Sequence, residues 1–362
     1  MKNIVFFYPS FEKGGATIVL INLIKFLSKK NQIYLITNKK DLKLKKLKNL
    51  EILLTNYRKI AHINNRVVSG FNSANVLLNL LKKLSKKNTL VFSMQSNFFP
   101  AILSFILRIK VVVRVSEDPC GATKYADNKL FAIIVLFTKF ITYNLASKII
   151  TNAKKSQECV KKFVLNKNKV ELLYNPTLNK ILKKNNYKKK NYFLNVGRLC
   201  KQKNQQMLIE AFHEFSKEHK NYELFFCGDG PDKEKLKKMV KKLRLNKKIK
   251  FLGWKNDMSL IYSRAKLFIL TSYYEGMPNA LIDAVNFEAP SIATNASGVE
   301  DLLLKGRGGE IIKNYNYKTL SHRMKNVIKN YNLILSKTKV SKKNLNKYCI
   351  EKAGQKYINV LS

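Results

Sequence analysis

Residues 266–285 read KLFILTSYYEGMPNALIDAV. The first six form a short apolar run with the length and character of a strand buried on both faces. A polar loop follows. Pro278 then suits the first turn of a helix, where its missing N–H would have no intrahelical partner anyway, and NALIDAV continues with helical character. Strand, loop and helix in this order make one unit of a parallel sheet covered by helices.

The same alternation extends in both directions. Upstream lie YFLNVG (192–197), ELFFCG (223–228) and IKFLG (249–253), and downstream PSIAT (290–294) and GEII (309–312). The first half carries its own series: NIVFFY (3–8), QIYLIT (32–37), EILL (51–54), TLVFS (89–93), KVVVRV (110–115), KIIT (148–151) and VELLY (170–174). Between the halves, residues 176–191 are polar, rich in lysine and opened by a proline, as a linker would be. At 362 residues the chain suits two domains of roughly 170 residues each. We divide it into an N-terminal domain (1–177), a linker (178–191), a C-terminal domain (192–340) and a last helical segment (341–362) placed to cross back to the first domain. Two doubly wound domains joined this way leave a cleft between the carboxyl ends of their strands, where ligands of such sheets bind.

Hydrophobic content of 46% with only 14 Gly and 7 Pro excludes a disordered or low-complexity chain. The charge is extreme: 69 Lys+Arg against 23 Asp+Glu, a formal net charge of +46. Such a field attracts nucleic acid, anionic lipid or phosphorylated substrates, but scattered lysines among many Asn and Ile are also what a compositional bias produces. Arginine occupies nine positions, so Arg114 and Arg198, which we place in well-formed loops, say more than any single lysine. The five cysteines lack close metal-type pairing and the four histidines stand apart from them, which supports neither a zinc site nor a disulfide framework. The N-terminus reads as a first strand and not as a signal peptide. Together these point to a reducing, cytoplasmic compartment.

The informative residues follow strands. Gly14 and Gly15 precede a strongly apolar helix, so bare backbone N–H groups and a helix N-terminus could face an anion, or the pair could simply make a turn. Arg198 and Lys203 flank the next comparable loop, where two cations can hold a diphosphate, Arg by two parallel hydrogen bonds and Lys as a point charge, or can simply be solvated basic residues of a lysine-rich chain. In CGDGP, Gly228 either lets a ligand approach the backbone or makes a tight turn. Around Pro278, the N–H groups of Met277, Asn279 and Ala280 are placed to meet phosphate oxygens. Glu275, in the loop, can point at a neutral sugar, and Asp283, just over a turn into the helix, can reach a ribose hydroxyl; equally, the two could be a helix-capping acid and a solvated helical Asp.

In their order and spacing, GGAT, VGRLCKQKNQQMLIEAF, GDGP, IKFLGW and EGMPNALIDAVNFEAPSIATNASGVED resemble the retaining nucleotide-sugar glycosyltransferases of family 4. The close resemblance covers residues 192–302 and a looser one residues 1–175. It implies the GT-B fold, an α/β architecture of two Rossmann-like doubly wound domains facing across a cleft. It implies a retaining, metal-independent hexosyltransferase without a cofactor, moving a hexose or N-acetylhexosamine from a nucleotide diphosphate sugar, by resemblance a UDP-sugar. The acceptor class it suggests is a saccharide or lipid-linked saccharide of cell-surface polysaccharide or lipopolysaccharide synthesis. By the same resemblance, Arg198 and Lys203 bind the donor diphosphate, Glu275 the transferred sugar and Asp283 the ribose. Gly14 and Gly15 approach the phosphates from the other domain, and the GWKND loop frames the nucleobase, with Trp254 against the ring or serving as a core or hinge aromatic.

Two departures stand out. The family motif has Glu where this chain has Asp283, a change a slightly closer helix accommodates. Many relatives place a His after the fifth strand of the first domain, where this chain offers Arg114, Ser116, Glu117 and Asp118; we assign orientation of the acceptor hydroxyl to Glu117 or Asp118. No protein nucleophile is evident, which fits front-face attack with the departing phosphate taking the acceptor proton. The alternative, a carboxylate nucleophile, needs an acid on the opposite ring face. The apolar segments 98–107 and 130–137 are too short to span a bilayer and read first as buried helices. Shallow docking on an anionic membrane, at the inner face of the cell membrane, is the second reading. Two other functions remain open: a sugar-nucleotide epimerase on the same scaffold, and a basic nucleic-acid-binding protein, for which no recognition motif is visible.

Overall fold

Every strand anticipated from the sequence forms, within two residues at either end, and all pair in parallel. The structure, a computed structural model, describes residues 1–12, 14–39, 44, 47–55, 65–183 and 186–361, of which residues 65–69 by backbone alone. The chain divides into two units, Met1–Thr177 with Ile350–Ser362, and Leu178–Cys349.

The first unit holds β1 (Asn3–Phe7), β2 (Gln32–Thr37), β3 (Leu50–Leu54), β4 (Thr89–Ser93), β5 (Lys110–Val115), β6 (Lys148–Thr151) and β7 (Val170–Leu172). They lie in the order β3-β2-β1-β4-β5-β6-β7. Its helices are α1 (Gly15–Leu27), α2 (Asn65–Lys83), α3 (Phe98–Ile106), α4 (Pro119–Lys124), α5 (Lys129–Leu145) and α6 (Lys154–Val160). The central strands are apolar on both faces because helices cover both: one core gathers Ile4, Phe6 and Phe92 with α1, another Val5, Val91 and Val113 with α2 and Tyr143.

The second unit holds β8 (Lys190–Val196), β9 (Glu223–Cys227), β10 (Ile249–Gly253), β11 (Ala265–Leu270), β12 (Ser291–Thr294) and β13 (Glu310–Ile312), in the order β10-β9-β8-β11-β12-β13. Its helices are α7 (Gln205–Glu218), α8 (Lys233–Lys242), α9 (Ser259–Arg264), α10 (Asn279–Asn286), α11 (Val299–Leu303), α12 (Tyr317–Lys329) and α13 (Tyr331–Lys343). Phe193 anchors the core, 4.9 Å from Phe215 and 6.1 Å from Phe212, both on α7. Truncating such a residue costs about 3–5 kcal/mol.

In each sheet the strand order reverses once, between β1 and β4 in the first and between β8 and β11 in the second. The crevice at the carboxyl ends of such a pair is where doubly wound sheets bind ligands. Loops after β1, β8 and β11 therefore start with a positional advantage.

Three expectations need correction. The second unit does not end at residue 340: Thr338, Ser341 and Leu345 are still buried in it, and the return to the first unit comes with α14 (Ile350–Leu361). At the linker, Leu178 already bridges Cys349 within the second unit, β8 begins at Lys190, and residues 184 and 185 lie outside the described residues. The apolar segments are only partly buried. Pro100, Ala101 and Ser104 of α3 and Ala132 of α5 face inward, but Phe105, Ile106 and five large apolar residues between 130 and 137 stand exposed.

The cysteines also differ from expectation, because Cys120 and Cys159 form a disulfide. They are 39 residues apart, and only the packing of α4 against α6 brings them together. Cys200, Cys227 and Cys349 take no part in a disulfide.

Candidate active site

In the second unit, the loops after β8 and β11 meet at the strand-order reversal. The backbone joins them first: Tyr273 N–H donates to Gln202 O (2.9 Å) and Gln202 Nε2 to Tyr274 O (2.9 Å). Thr271 Oγ1 donates to Lys203 O at 2.9 Å. Held between these contacts, Lys203 Nζ reaches Glu275 Oε1 at 2.5 Å, and Ser272 Oγ donates to the same oxygen at 2.6 Å. Glu275 is 6% exposed, so its charge is compensated within the protein rather than by water. Arg198, in the same β8 loop, is exposed. The arrangement therefore offers a cation, a paired cation and a buried carboxylate at the end of adjacent strands.

Glycines let these loops approach. A Cβ on Gly228 would lie 2.0 Å from Gly197 O, and its φ is +136°. One on Gly230 would lie 2.3 Å from Leu199 O. The β9 loop is thus pressed against the Arg198 loop, and Leu199 N–H donates to Asp229 O at 3.0 Å. Gly228 fills a structural place beneath the site. Gly298, at φ +78°, supports the β11 loop in the same way, since a Cβ there would meet Gly276 O at 2.6 Å.

Helix α10 begins at Asn279, with Pro278 at its N-cap and Met277 buried just before it. The helix start thus falls one residue later than Pro278 as a first-turn residue requires. Ala280 is the second helical residue, so Asn279 and Ala280 carry first-turn amides that precede the intrahelical bonds. Asp283 is partly exposed, yet the surrounding protein pushes its carboxyl up to about 7 through burial. Its charge adds to burial in raising the Tyr262 phenol. Trp254, after β10, is 45% exposed, which disposes of the core reading of that residue.

In the first unit, Gly14 caps α1 with extended backbone, and nothing lies within 4 Å of a Cβ built there. Gly15 opens the helix. Glu117 and Asp118 follow β5. Asp118 caps α4 by accepting from Cys120 N–H (3.1 Å) and is 3% exposed; burial raises its carboxyl pKa, while backbone hydrogen bonds from Gly121 and Cys120 oppose that. Glu117 is the more accessible of the two and pairs with Lys139 of α5 at 3.8 Å. Arg114 lies within β5 and not in a loop as expected; 2% exposed, it donates to Ser116 Oγ and Asn175 Oδ1, both at 2.6 Å, and so braces the loop after β5 instead of facing a ligand. Among the described residues, Asp118, Cys120 and Cys159 cluster closely enough to hold a metal, but the two sulfurs are bonded to each other.

Reading the sequence found the charged residues but missed Ser272, Gln202 and Gly298. Ser272 and Gly298 stood inside the quoted motifs; what marks them is three-dimensional contact with Glu275 and Gly276.

Two doubly wound units with charged loops at the strand-order reversal define a GT-B protein, and residues 178–353 match the family described as glycosyl transferases group 1. The match, the relatives and the fold together support a group 1 glycosyltransferase. It is 28% identical to an uncharacterized glycosyltransferase of Methanocaldococcus jannaschii over 54% of this chain and 50% of that one. It is 26% identical to the Campylobacter jejuni GalNAc-alpha-(1->4)-GalNAc-alpha-(1->3)-diNAcBac-PP-undecaprenol alpha-1,4-N-acetyl-D-galactosaminyltransferase, over 86% of this chain and 85% of the relative. Among solved structures, Anabaena HepE in complex with UDP and glucose superimposes with a TM-score of 0.80 at 17% identity, covering 100% of this chain and 99% of HepE.

Proposed function

We propose that the chain transfers a hexose or N-acetylhexosamine from a UDP-sugar, with retention and without a metal, to a lipid-linked saccharide during polysaccharide or lipopolysaccharide synthesis at the cytoplasmic face of the membrane. The observation that carries this reading is the Lys203–Glu275 pair beside Arg198, at the strand-order reversal of the second unit. The UDP and glucose in the HepE structure support the donor class, and the undecaprenol-linked substrate named for the Campylobacter relative supports the acceptor class.

In this reading Arg198 and Lys203 neutralise the donor diphosphate, assisted by the amides of Asn279 and Ala280, which stabilises the charge on the leaving group where a metal would otherwise act. Asp283 accepts from the ribose, Trp254 lies by the base, and Glu275 orients the sugar. Gly14 and Gly15 contribute close backbone approach to phosphate. Glu117, with Asp118 fixing its loop, orients the acceptor hydroxyl. The C1–O bond to the diphosphate breaks as the acceptor oxygen bonds to C1 on the same face, and the departing phosphate oxygen takes the hydroxyl proton.

The test incubates the protein and a panel of UDP-sugars with an undecaprenyl-diphosphate-linked saccharide, in the presence of chelator. Formation of an α-linked product by mass spectrometry and NMR supports the reading. Release of an altered sugar nucleotide without acceptor would instead identify an epimerase.

A further inference from the structure

Helix α5 has 17 residues, KLFAIIVLFTKFITYNL, of which only Lys129 and Lys139 are charged and none is acidic. A helix apolar all round belongs inside a core or in lipid. Here Ala132, Thr142 and Tyr143 are buried in the first unit, while Leu130, Ile133, Ile134, Phe137 and Phe140 are 40–76% exposed. Their spacing places them on one stripe, about 25 Å long if it ran the whole helix. Phe105 and Ile106 add to it from the end of α3, which packs along α5. At the far end, Leu165 is 83% exposed and its N–H donates to Asn144 Oδ1 of α5 at 2.9 Å. So large an exposed apolar area marks an interaction surface.

The rim identifies the partner. Lys124 and Lys129 stand exposed at the start of α5, Lys162 and Lys167 beside its end, and Arg108 and Lys110 after α3. The acids nearby are few: Asp127 precedes α5, and Glu117 is paired with Lys139. An apolar stripe bordered by cations complements an anionic lipid surface, whereas two copies of this face would bring like charges together. Among the described residues no helix is long and apolar enough to cross a membrane, so insertion would be shallow and in plane.

We propose that the exposed face of α5, with the end of α3, is a docking surface for an anionic lipid bilayer. The stripe enters the interface and the rim lysines meet the headgroups. Lys139, on the opposite face of this helix, reaches Glu117, so docking would hold the loop after β5 a helix diameter, roughly 10 Å, above the docked face, within reach of the saccharide of a lipid-linked acceptor; this last consequence rests on the acceptor role proposed for Glu117.

The test is flotation of the full chain with vesicles of phosphatidylcholine alone or mixed equally with phosphatidylglycerol. Wild type should float with the anionic vesicles and less so as salt rises. The double variant Ile134→Asp/Phe137→Asp should lose at least roughly tenfold in vesicle affinity. Its UDP-induced thermal shift and its transfer to a detergent-free, water-soluble acceptor should stay unchanged, which separates failure of docking from failure of the proposed chemistry. Vesicle binding that survives the double substitution overturns the proposal. So does a wild type that ignores anionic vesicles, or one that sediments as a dimer and becomes monomeric on substitution, which would make the face a contact between copies.

Discussion

Lys203 Nζ and Glu275 Oε1 lie 2.5 Å apart although 72 residues separate them in the chain. The cation assigned to the diphosphate and the carboxylate assigned to the sugar are thus already partners, and donor binding must divide Lys203 between two anions.

The first prediction follows from that competition. Glu275→Gln removes the rival anion, so UDP affinity should hold or rise while turnover falls, because the lost contact serves the sugar in the transition state. Lys203→Ala should weaken UDP binding by about 1.5–3 kcal/mol. It should also destabilise the fold by about 3 kcal/mol, since buried Glu275 loses its counter-charge. Combining the two should return most of that stability. Calorimetric UDP titration and urea unfolding check each part.

Asp283 sets a pH dependence. Its carboxyl ionises at about 7 in the folded protein against an ordinary 3.8, so the folded state holds the proton more tightly and this group's contribution to stability declines as pH rises between those values. Ribose hydroxyls donate to the ionised form. Affinity for a UDP-sugar, whose own diphosphate ester does not titrate in this range, should therefore rise about tenfold from about pH 6 to about pH 8. Asp283→Asn should abolish that slope and raise the melting temperature more at alkaline pH than at pH 5. An unchanged slope would remove Asp283 from the ribose site.

Two glycines should behave oppositely. Gly228→Ala forces a Cβ onto Gly197 O at a positive φ, so the loop must move, at a cost of about 2 kcal/mol or more. Gly14→Ala meets open space in extended backbone and should leave stability within about 0.5 kcal/mol. Loss of UDP affinity in folded Gly14→Ala would then report close ligand approach. Equal melting temperatures for the two variants would contradict the packing described here.

The disulfide gives a chemical count. Thiol titration of unfolded, unreduced protein should find three free thiols out of five cysteines. Reduction should lower stability by about 2–4 kcal/mol, the range for closing a loop of this length. Five reactive thiols without reductant would mean the bond does not form in the expressed protein.

What the sequence revealed and what it concealed divide along physical lines. The strands were legible because buried parallel strands are continuous apolar runs, as NIVFF and KVVVRV are, and their punctuation by glycine and polar loops is local. Arg198, Lys203 and Glu275 were legible through their positions after strands. The Cys120–Cys159 bond was not, since nothing within 39 residues of chain announces that α4 and α6 will touch. Gly298 was invisible for the same reason: its partner is the carbonyl of Gly276. The exposed face of α5 misled because an apolar run shows its hydrophobicity and not what covers it.

Helix α14 has a bearing on how the protein is made. Tyr357 is fully buried against Phe92 in the first unit, at a ring distance of 6.1 Å, and Gly354 fits under Phe26 of α1 so closely that a Cβ would lie 2.6 Å from the ring. The ribosome releases this helix after all of Leu178–Cys349. The first unit to be synthesised is consequently the second to be completed: its core keeps an open side throughout translation of the other unit. A chain cut before Ile350 would leave the later-born unit intact and damage the earlier one.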